Sequence, residues 1–229
     1  EQADRPWLRV YAEGVPADIV EPEQPLTALL DGTVARFGDQ VGLDFFGATT
    51  TYRQLGAEVS RAAEALRRLG VGAGDRVALI LPNCPQHVVA FYAVLRLGAI
   101  VVEHNPLYSA EELAHQLADH GAKVVVCWEK TAEVVHATAD RTSVETIVTV
   151  DLSAAMPLRM RLALRLPVPT ARRARAQLRG PLPPGALSWE RLIAAAPSLD
   201  PAVGGPGVND VALLQYTGGT TGVSKGAVL

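Results

Sequence analysis

Short apolar runs alternate with apolar residues at helical spacing through the middle of the chain. Residues 76–81 (RVALIL) form a run suited to a buried strand. Behind Pro85, a good first-turn residue, residues 86–97 carry apolar side chains at helical spacing until Gly98 ends the pattern. Residues 99–102 predict a second strand. Ser109 followed by Glu112 is a capping box, opening a helix that runs to about His120, where Gly121 stops it. Residues 123–127, 132–139 and 146–150 repeat the alternation as strand, helix and strand. Upstream, residues 26–37 and 54–69 predict helices around a strand pair near 41–52. The expected fold is α/β, a doubly wound, mainly parallel sheet flanked by helices, with ligands outside the carboxyl edge of the sheet.

Composition narrows the class. A chain of 229 residues with 48% hydrophobic and 20% charged side chains has ample material for a core. Cys84 and Cys127 lie far apart without metal-ligand spacing, and Cys127 closes an apolar run, so buried reduced thiols are expected rather than a disulfide or metal site. No apolar run reaches the roughly 18 residues of a membrane span, and no leader pattern opens the chain, which makes a cytoplasmic setting the expectation. The first residue is Glu1 rather than Met, so a few residues are expected to precede it.

Charge is polarised. Residues 151–180 hold seven arginines against the single acid Asp151, +6, and leave 14 basic and 23 acidic side chains elsewhere, −9. Leu158, Met160, Leu162, Leu164 and Leu166 alternate there with Arg159, Arg161 and Arg165, and Pro167 and Pro169 argue against one continuous helix. Such a segment suits peripheral contact with an anionic bilayer, at about 1 kcal/mol per basic residue near the surface. A solvated insertion between two strands is the other reading. The segment has no aromatic residue, which argues against nucleic-acid binding.

The chemistry concentrates at the end of the chain, in the stretch YTGGTTGVSKGAVL over residues 216–229. Gly218, Gly219 and Gly222 allow the backbone to bring N–H groups close to phosphate oxygens. Thr217, Thr220, Thr221 and Ser224 add hydroxyl donors, and Lys225 adds a positive charge on a flexible stem. Apolar residues 211–214 before the loop and 227–229 after it predict that it joins two strands. The P-loop pattern is excluded because Lys225 follows Ser224 and precedes Gly226. A nicotinamide fold is set aside because the junction after Leu81 is Pro82-Asn83-Cys84-Pro85, without glycine. A ligand-free glycine-rich hairpin turn is the bland alternative for any short cluster of this kind.

A longer match speaks against that alternative. Residues 216–226 resemble the phosphate-binding signature of the adenylate-forming superfamily, [YF]-T-[SG]-G-T-T-G-x-P-K-G, at ten of its eleven positions, Ser224 standing where proline is usual. Thr51-Tyr52-Arg53-Gln54-Leu55 resembles the family's T-Y-x-E-L helix start, and LRLGAIVVEHNP over 95–106 resembles its L-x-A-G strand. Asn105-Pro106-Leu107-Tyr108-Ser109, with Glu112-Leu113 and His115-Gln116-Leu117 following, is similar to a stretch of bacterial long-chain fatty acid:CoA ligases.

The resemblance implies an ATP-dependent ligase that adenylates a fatty acid and passes the acyl group to CoA, with Mg²⁺ accompanying ATP. Thr217, Gly218, Gly219, Thr220, Thr221, Gly222, Ser224 and Lys225 would hold the ATP phosphates. The family's segments for the adenine pocket, most of the CoA site and the catalytic lysine lie beyond the pattern present here. No catalytic or metal-ligating residue is therefore assigned, and the chain alone is expected not to form thioester. It also implies three parts: 1–70, helices and strands that pack on a later subdomain; 71–198, an α/β subdomain with the basic insertion at 151–180; and 199–229, a linker, strand and phosphate loop. A noncatalytic nucleotide- or partner-binding product, a fatty acyl-AMP ligase and an aryl-acid ligase are the alternatives. His115 and His120 are expected at surface helix positions, His104 has no partner identifiable from sequence, and His87 and His136 are assigned nothing.

Overall fold

The computed structural model describes residues 5–19, 23–217 and 224–229. Helix α1 (Thr27–Phe37) leads into an antiparallel pair, β1 (Val41–Phe45) and β2 (Ala48–Thr51). Two residues turn that hairpin, Phe46 and Gly47, with φ of 56° and 85°. Helix α2 (Tyr52–Arg68) starts where the Thr51 hydroxyl accepts the Gln54 N–H and the Gln54 side chain accepts the Thr51 N–H at 2.8 Å, so two otherwise orphaned donors are satisfied reciprocally. Its buried residues Leu55, Val59, Ala62, Ala63 and Leu66 recur at helical spacing.

The predicted alternation follows. Strands β3 (Arg76–Ile80), β4 (Ile100–Glu103), β5 (Val124–Trp128) and β6 (Thr146–Val150) are separated by helices α3 (Pro85–Arg96), α4 (Ala110–His120) and α5 (Ala132–Thr138). Helix α4 carries the expected capping box between Ser109 and Glu112, and it ends at Gly121 in the left-handed conformation (φ 66°) that glycine takes without steric cost.

Beyond β6 come α6 (Leu158–Ala163), α7 (Pro169–Leu178), the two-residue strand β7 (Leu187–Ser188) and α8 (Trp189–Ala195). Strands β8 (Leu213–Thr217) and β9 (Lys225–Val228) close the chain. All but the first two strands form one seven-stranded sheet in the order β7-β6-β5-β3-β4-β8-β9. Every pairing is parallel except the last, where β9 runs antiparallel to β8.

Alternate strand residues feed two cores. Val77, Leu79, Val101 and Val126 join the buried faces of α2 and α3 and Trp189 of α8, whereas Ala78, Ile80, Val125 and Cys127 join Leu113 and Leu117 of α4 and Val135 of α5. A sheet buried on both faces is what continuous apolar strands such as RVALI and VVVCW require. Cys84 and Cys127 are free and buried, and burial raises their thiol pKa values to about 11 and about 12.

The basic insertion forms an arm of two short helices, α6 and α7, instead of a loop. Its far end is pinned to the domain. Arg179 donates to both oxygens of the buried Glu129 carboxylate at 2.9 and 2.7 Å, and the Trp128 indole N–H donates to the Leu178 carbonyl at 2.6 Å. The next residue is Gly180, where a Cβ would stand 2.7 Å from the Lys130 Cα and 2.8 Å from the Glu129 carbonyl oxygen, so only glycine lets the arm cross there. Among the described residues no helix is long and apolar enough to cross a membrane.

Candidate phosphate-binding site

The glycine- and threonine-rich segment joins two strands, as its flanks predict. β8 and β9 pair in register from Leu214 with Val228 to Thr217 with Lys225, which puts the neck of the hairpin, Thr217 and Lys225, at the carboxyl edge of the sheet. That edge is where doubly wound sheets bind ligands. Of the residues assigned to phosphate, Gly218, Gly219, Thr220, Thr221 and Gly222 lie outside the described residues, and Thr217, Ser224 and Lys225 stand together at the neck of the hairpin. The Thr217 hydroxyl donates to the Lys225 carbonyl at 3.4 Å, and the Ser224 hydroxyl donates to the Thr217 carbonyl at 3.2 Å. Lys225 itself is exposed.

Helix α4 holds both stems of this hairpin. On the β8 side, the Tyr216 hydroxyl donates to Asp119, and its ring stacks on His104 at 5.9 Å between centroids. Burial and the Asp119 carboxylate both push the Tyr216 pKa up. Gly226 lies opposite Tyr216 in the ladder, under that ring. On the β9 side, the Gln116 amide donates to the Ser224 hydroxyl at 3.4 Å.

Behind Gln116 lies a polar pair that the sequence did not reveal. His104, 5% exposed at the end of β4, faces the Gln116 side-chain oxygen through Nδ1 at 2.8 Å and His120 through Nε2 at 3.0 Å. His120 corrects an expectation: it is 3% exposed rather than a surface helix position, because it shares the buried face of α4 with Leu113, Gln116 and Leu117. The i, i+4 spacing of Gln116 and His120 on an otherwise apolar face was the available signal. Burial lowers the His104 pKa to about 4; burial, then His104 and Arg76, lowers that of His120 to about 3. His115 is exposed, as expected of it.

A second histidine contact sits on the same edge, where His87 of α3 meets the Glu103 carboxylate of β4 at 2.8 and 3.0 Å. A cleft of about 590 Å³ lies elsewhere. It is lined by Leu26, Leu29, Leu95, Ala99, Pro206 and Leu229, near the starts of β4 and β8 at the amino edge, so it is not the phosphate site.

A mainly parallel sheet with the neck of a hairpin at its carboxyl edge is an architecture that binds ligands at that edge. Residues 30–229 match the family model described as AMP-binding enzyme, and the chain belongs to that family. It is 36% identical over 234 residues to a long-chain-fatty-acid–CoA ligase of Escherichia coli, spanning 97% of this chain and 40% of the relative. It is 31% identical over 238 residues to a long-chain-fatty-acid–CoA ligase of Bacillus subtilis, covering all of this chain and 40% of the relative. The chain therefore spans about 40% of the length of the curated relatives it matches.

Solved structures agree on the fold. An anthranilate CoA ligase, determined with anthranoyl-AMP, superposes with a TM-score of 0.73 at 23% identity, over 90% of this chain and 35% of that one. A long-chain-fatty-acid-CoA ligase from Archaeoglobus fulgidus gives 0.68 at 24% identity, over 96% of this chain and 39% of the other.

Proposed function

We propose that this chain is the phosphate-gripping part of an ATP-dependent long-chain fatty acid:CoA ligase. The observation that carries the proposal is the β8–β9 hairpin, whose neck gathers Thr217, Ser224 and Lys225 at the carboxyl edge and whose intervening sequence is rich in glycine and threonine. In the reaction, a carboxylate oxygen attacks the α-phosphorus of Mg-ATP. The bond to pyrophosphate breaks, and the CoA sulfur then displaces AMP from the acyl carbon. This chain's share is to bind and orient. Thr217, Gly218, Gly219, Thr220, Thr221, Gly222 and Ser224 offer N–H and hydroxyl donors to the β- and γ-phosphates, and Lys225 balances their charge. Mg²⁺ would enter with ATP and would supply charge neutralisation on the phosphates, and no residue of this chain is assigned to hold it.

Acyl-CoA formation from ATP, CoA and short, long and aromatic acids tests the reading on the complete reading frame. Activity confined to long chains supports it, and activity confined to aromatic acids replaces the substrate class. Acyl-AMP made without thioester would point to an acyl-AMP ligase, and no activity to a noncatalytic nucleotide-binding role. Lys225→Ala is expected to raise KM for ATP about tenfold or more in pyrophosphate exchange, because it removes a charged contact to phosphate. An unchanged KM rejects that role for the lysine.

One observation favours a further property, peripheral contact with an anionic bilayer. Leu158 (67% exposed), Leu162, Leu166, Val168 and Phe46 lie open beside exposed arginines of α6 and α7. Apolar side chains within a cationic surface suit insertion at the headgroup level of anionic lipid. Flotation with anionic and with zwitterionic vesicles checks it. Equal recovery with the two lipids refutes the electrostatic part, and no recovery with either refutes contact altogether.

A further inference from the structure

The hydrogen bonds behind the hairpin run in one direction only, and their polarity follows from one end. The Ala122 backbone N–H can only donate, and it meets His120 Nδ1 at 3.1 Å. His120 Nδ1 is then an acceptor, so its proton sits on Nε2 and points to His104 Nε2 at 3.0 Å. His104 must in turn carry its proton on Nδ1, where the Gln116 side-chain oxygen accepts it at 2.8 Å. That fixes the orientation of the Gln116 amide, whose NH₂ faces the Ser224 hydroxyl at 3.4 Å. The Ser224 hydroxyl then donates to the Thr217 carbonyl at 3.2 Å, across the neck of the loop. Each nitrogen in the chain has one role, and no step is left with two donors or two acceptors facing each other. Both histidines must be neutral for this to hold, since an imidazolium would turn an acceptor into a donor.

Resting on the ligase reading above, we infer that Gln116, oriented by His104 and His120, is a positioning residue for ATP: it sets the neck of the phosphate loop by holding Ser224 against Thr217. The three side chains stand outside the residues assigned to phosphate, with Gln116 bonded to one of them, Ser224. They act through Ser224, which Gln116 touches from an element far away in sequence and which the two histidines reach only by way of Gln116. The influence should fade along the chain of bonds, from Gln116 to His104 to His120. A merely structural role would not produce that order, because the three side chains are buried alike.

The test is ATP-dependent pyrophosphate exchange by the complete reading frame at varied ATP, with melting temperature measured on each variant. Gln116→Met keeps the shape and removes both hydrogen bonds. It should raise KM for ATP about 3- to 10-fold, the effect of roughly one hydrogen bond's worth of positioning, while kcat stays within about twofold. His104→Leu should raise KM by less. His104→Asn, whose amide can replace Nδ1–H toward Gln116, should return KM to within about twofold of wild type. His120→Leu should change KM least of the three. Unchanged KM in Gln116→Met, or equal loss of kcat and melting temperature without a KM effect, would overturn the inference and leave the ligase reading intact. A wild-type protein inert in exchange would overturn both. Should His104→Leu fail to fold, the comparison of Gln116→Met with His104→Asn still decides.

Discussion

Lowering the pH from 8 to 5 should weaken the fold by an amount traceable to two side chains. His104 and His120 are buried, with pKa values lowered to about 4 and about 3. In the unfolded chain each would titrate near 6.5, so between that value and the folded pKa the unfolded state binds more protons. Stability is thus fully present above about pH 6.5 and lost as pH falls toward the folded values. At pH 5 the linkage relation gives a loss of about 2 kcal/mol for each ring, and about 4 kcal/mol for the pair.

The groups facing the pair do not cancel this. Gln116 and Asp119 of α4 and Tyr216 of β8 surround it, and Arg76 of β3 disfavours a further positive charge on His120. Carboxylates held low, such as Glu64 at about 2 beside Arg67 and Arg68, lose their contribution only below about pH 4.5, outside the window. Urea midpoints at pH 8 and pH 5 measure the loss. The reference is the double variant His104→Asn with His120→Gln, which keeps amide donors and acceptors but has nothing to titrate there. Wild type should lose about 4 kcal/mol more than the variant. Equal losses would refute the placement of two neutral imidazoles in the core.

Other parts of the molecule give independent expectations. Arg179→Ala strands the Glu129 carboxylate, 4% exposed, without its two charged hydrogen bonds, and should cost about 2–3 kcal/mol in urea unfolding, somewhat less than the roughly 3–5 kcal/mol of fully buried pairs because the arginine is half exposed. Phe46→Asn relieves left-handed backbone strain but gives up the edge-on contact with Phe45 at 4.8 Å, so stability should shift by less than about 1 kcal/mol. Recovery on anionic vesicles should nonetheless fall. Ellman's reagent at pH 8 should leave Cys84 and Cys127 unreacted in the folded chain and label both in urea, because burial disfavours their thiolates.

Much of the architecture was legible because its signals are local. The capping box of Ser109 and Glu112 and the stop at Gly121 give α4 its ends, and β6 falls on the predicted residues. The short strand β7 and helix α8 were missed: two residues, Leu187 and Ser188, carry no period, and the seven of α8 give barely two turns of pattern. In the arm, the prolines correctly argued against one helix. The alternation of apolar residues with Arg159, Arg161 and Arg165 then hid α6, since a period of two does not match a helical face, and α7, rich in alanine and arginine, carries only one buried residue, Ala171, to mark a face. The loop's place between strands was legible from its apolar flanks. Its support was not. Gln116 and Ser224 are 108 positions apart, and no local pattern encodes a contact between them.

That separation also has a consequence in time. Strand β4 pairs with β8 from Val101 with Leu213 to Glu103 with Gln215, although β8 follows it by about 110 residues. Strands β3 to β6 can assemble with their intervening helices as soon as they are made. At synthesis rates of about 5–20 residues per second, the outer edge of β4 waits roughly 5–20 s for its neighbour. During that interval the newborn protein presents an unpaired apolar edge at the place later occupied by the hairpin. Of the strands described here, β8 and β9 are therefore the last to dock, and a ribosome pause between α8 and β8 would prolong the exposure of that edge to any passing strand.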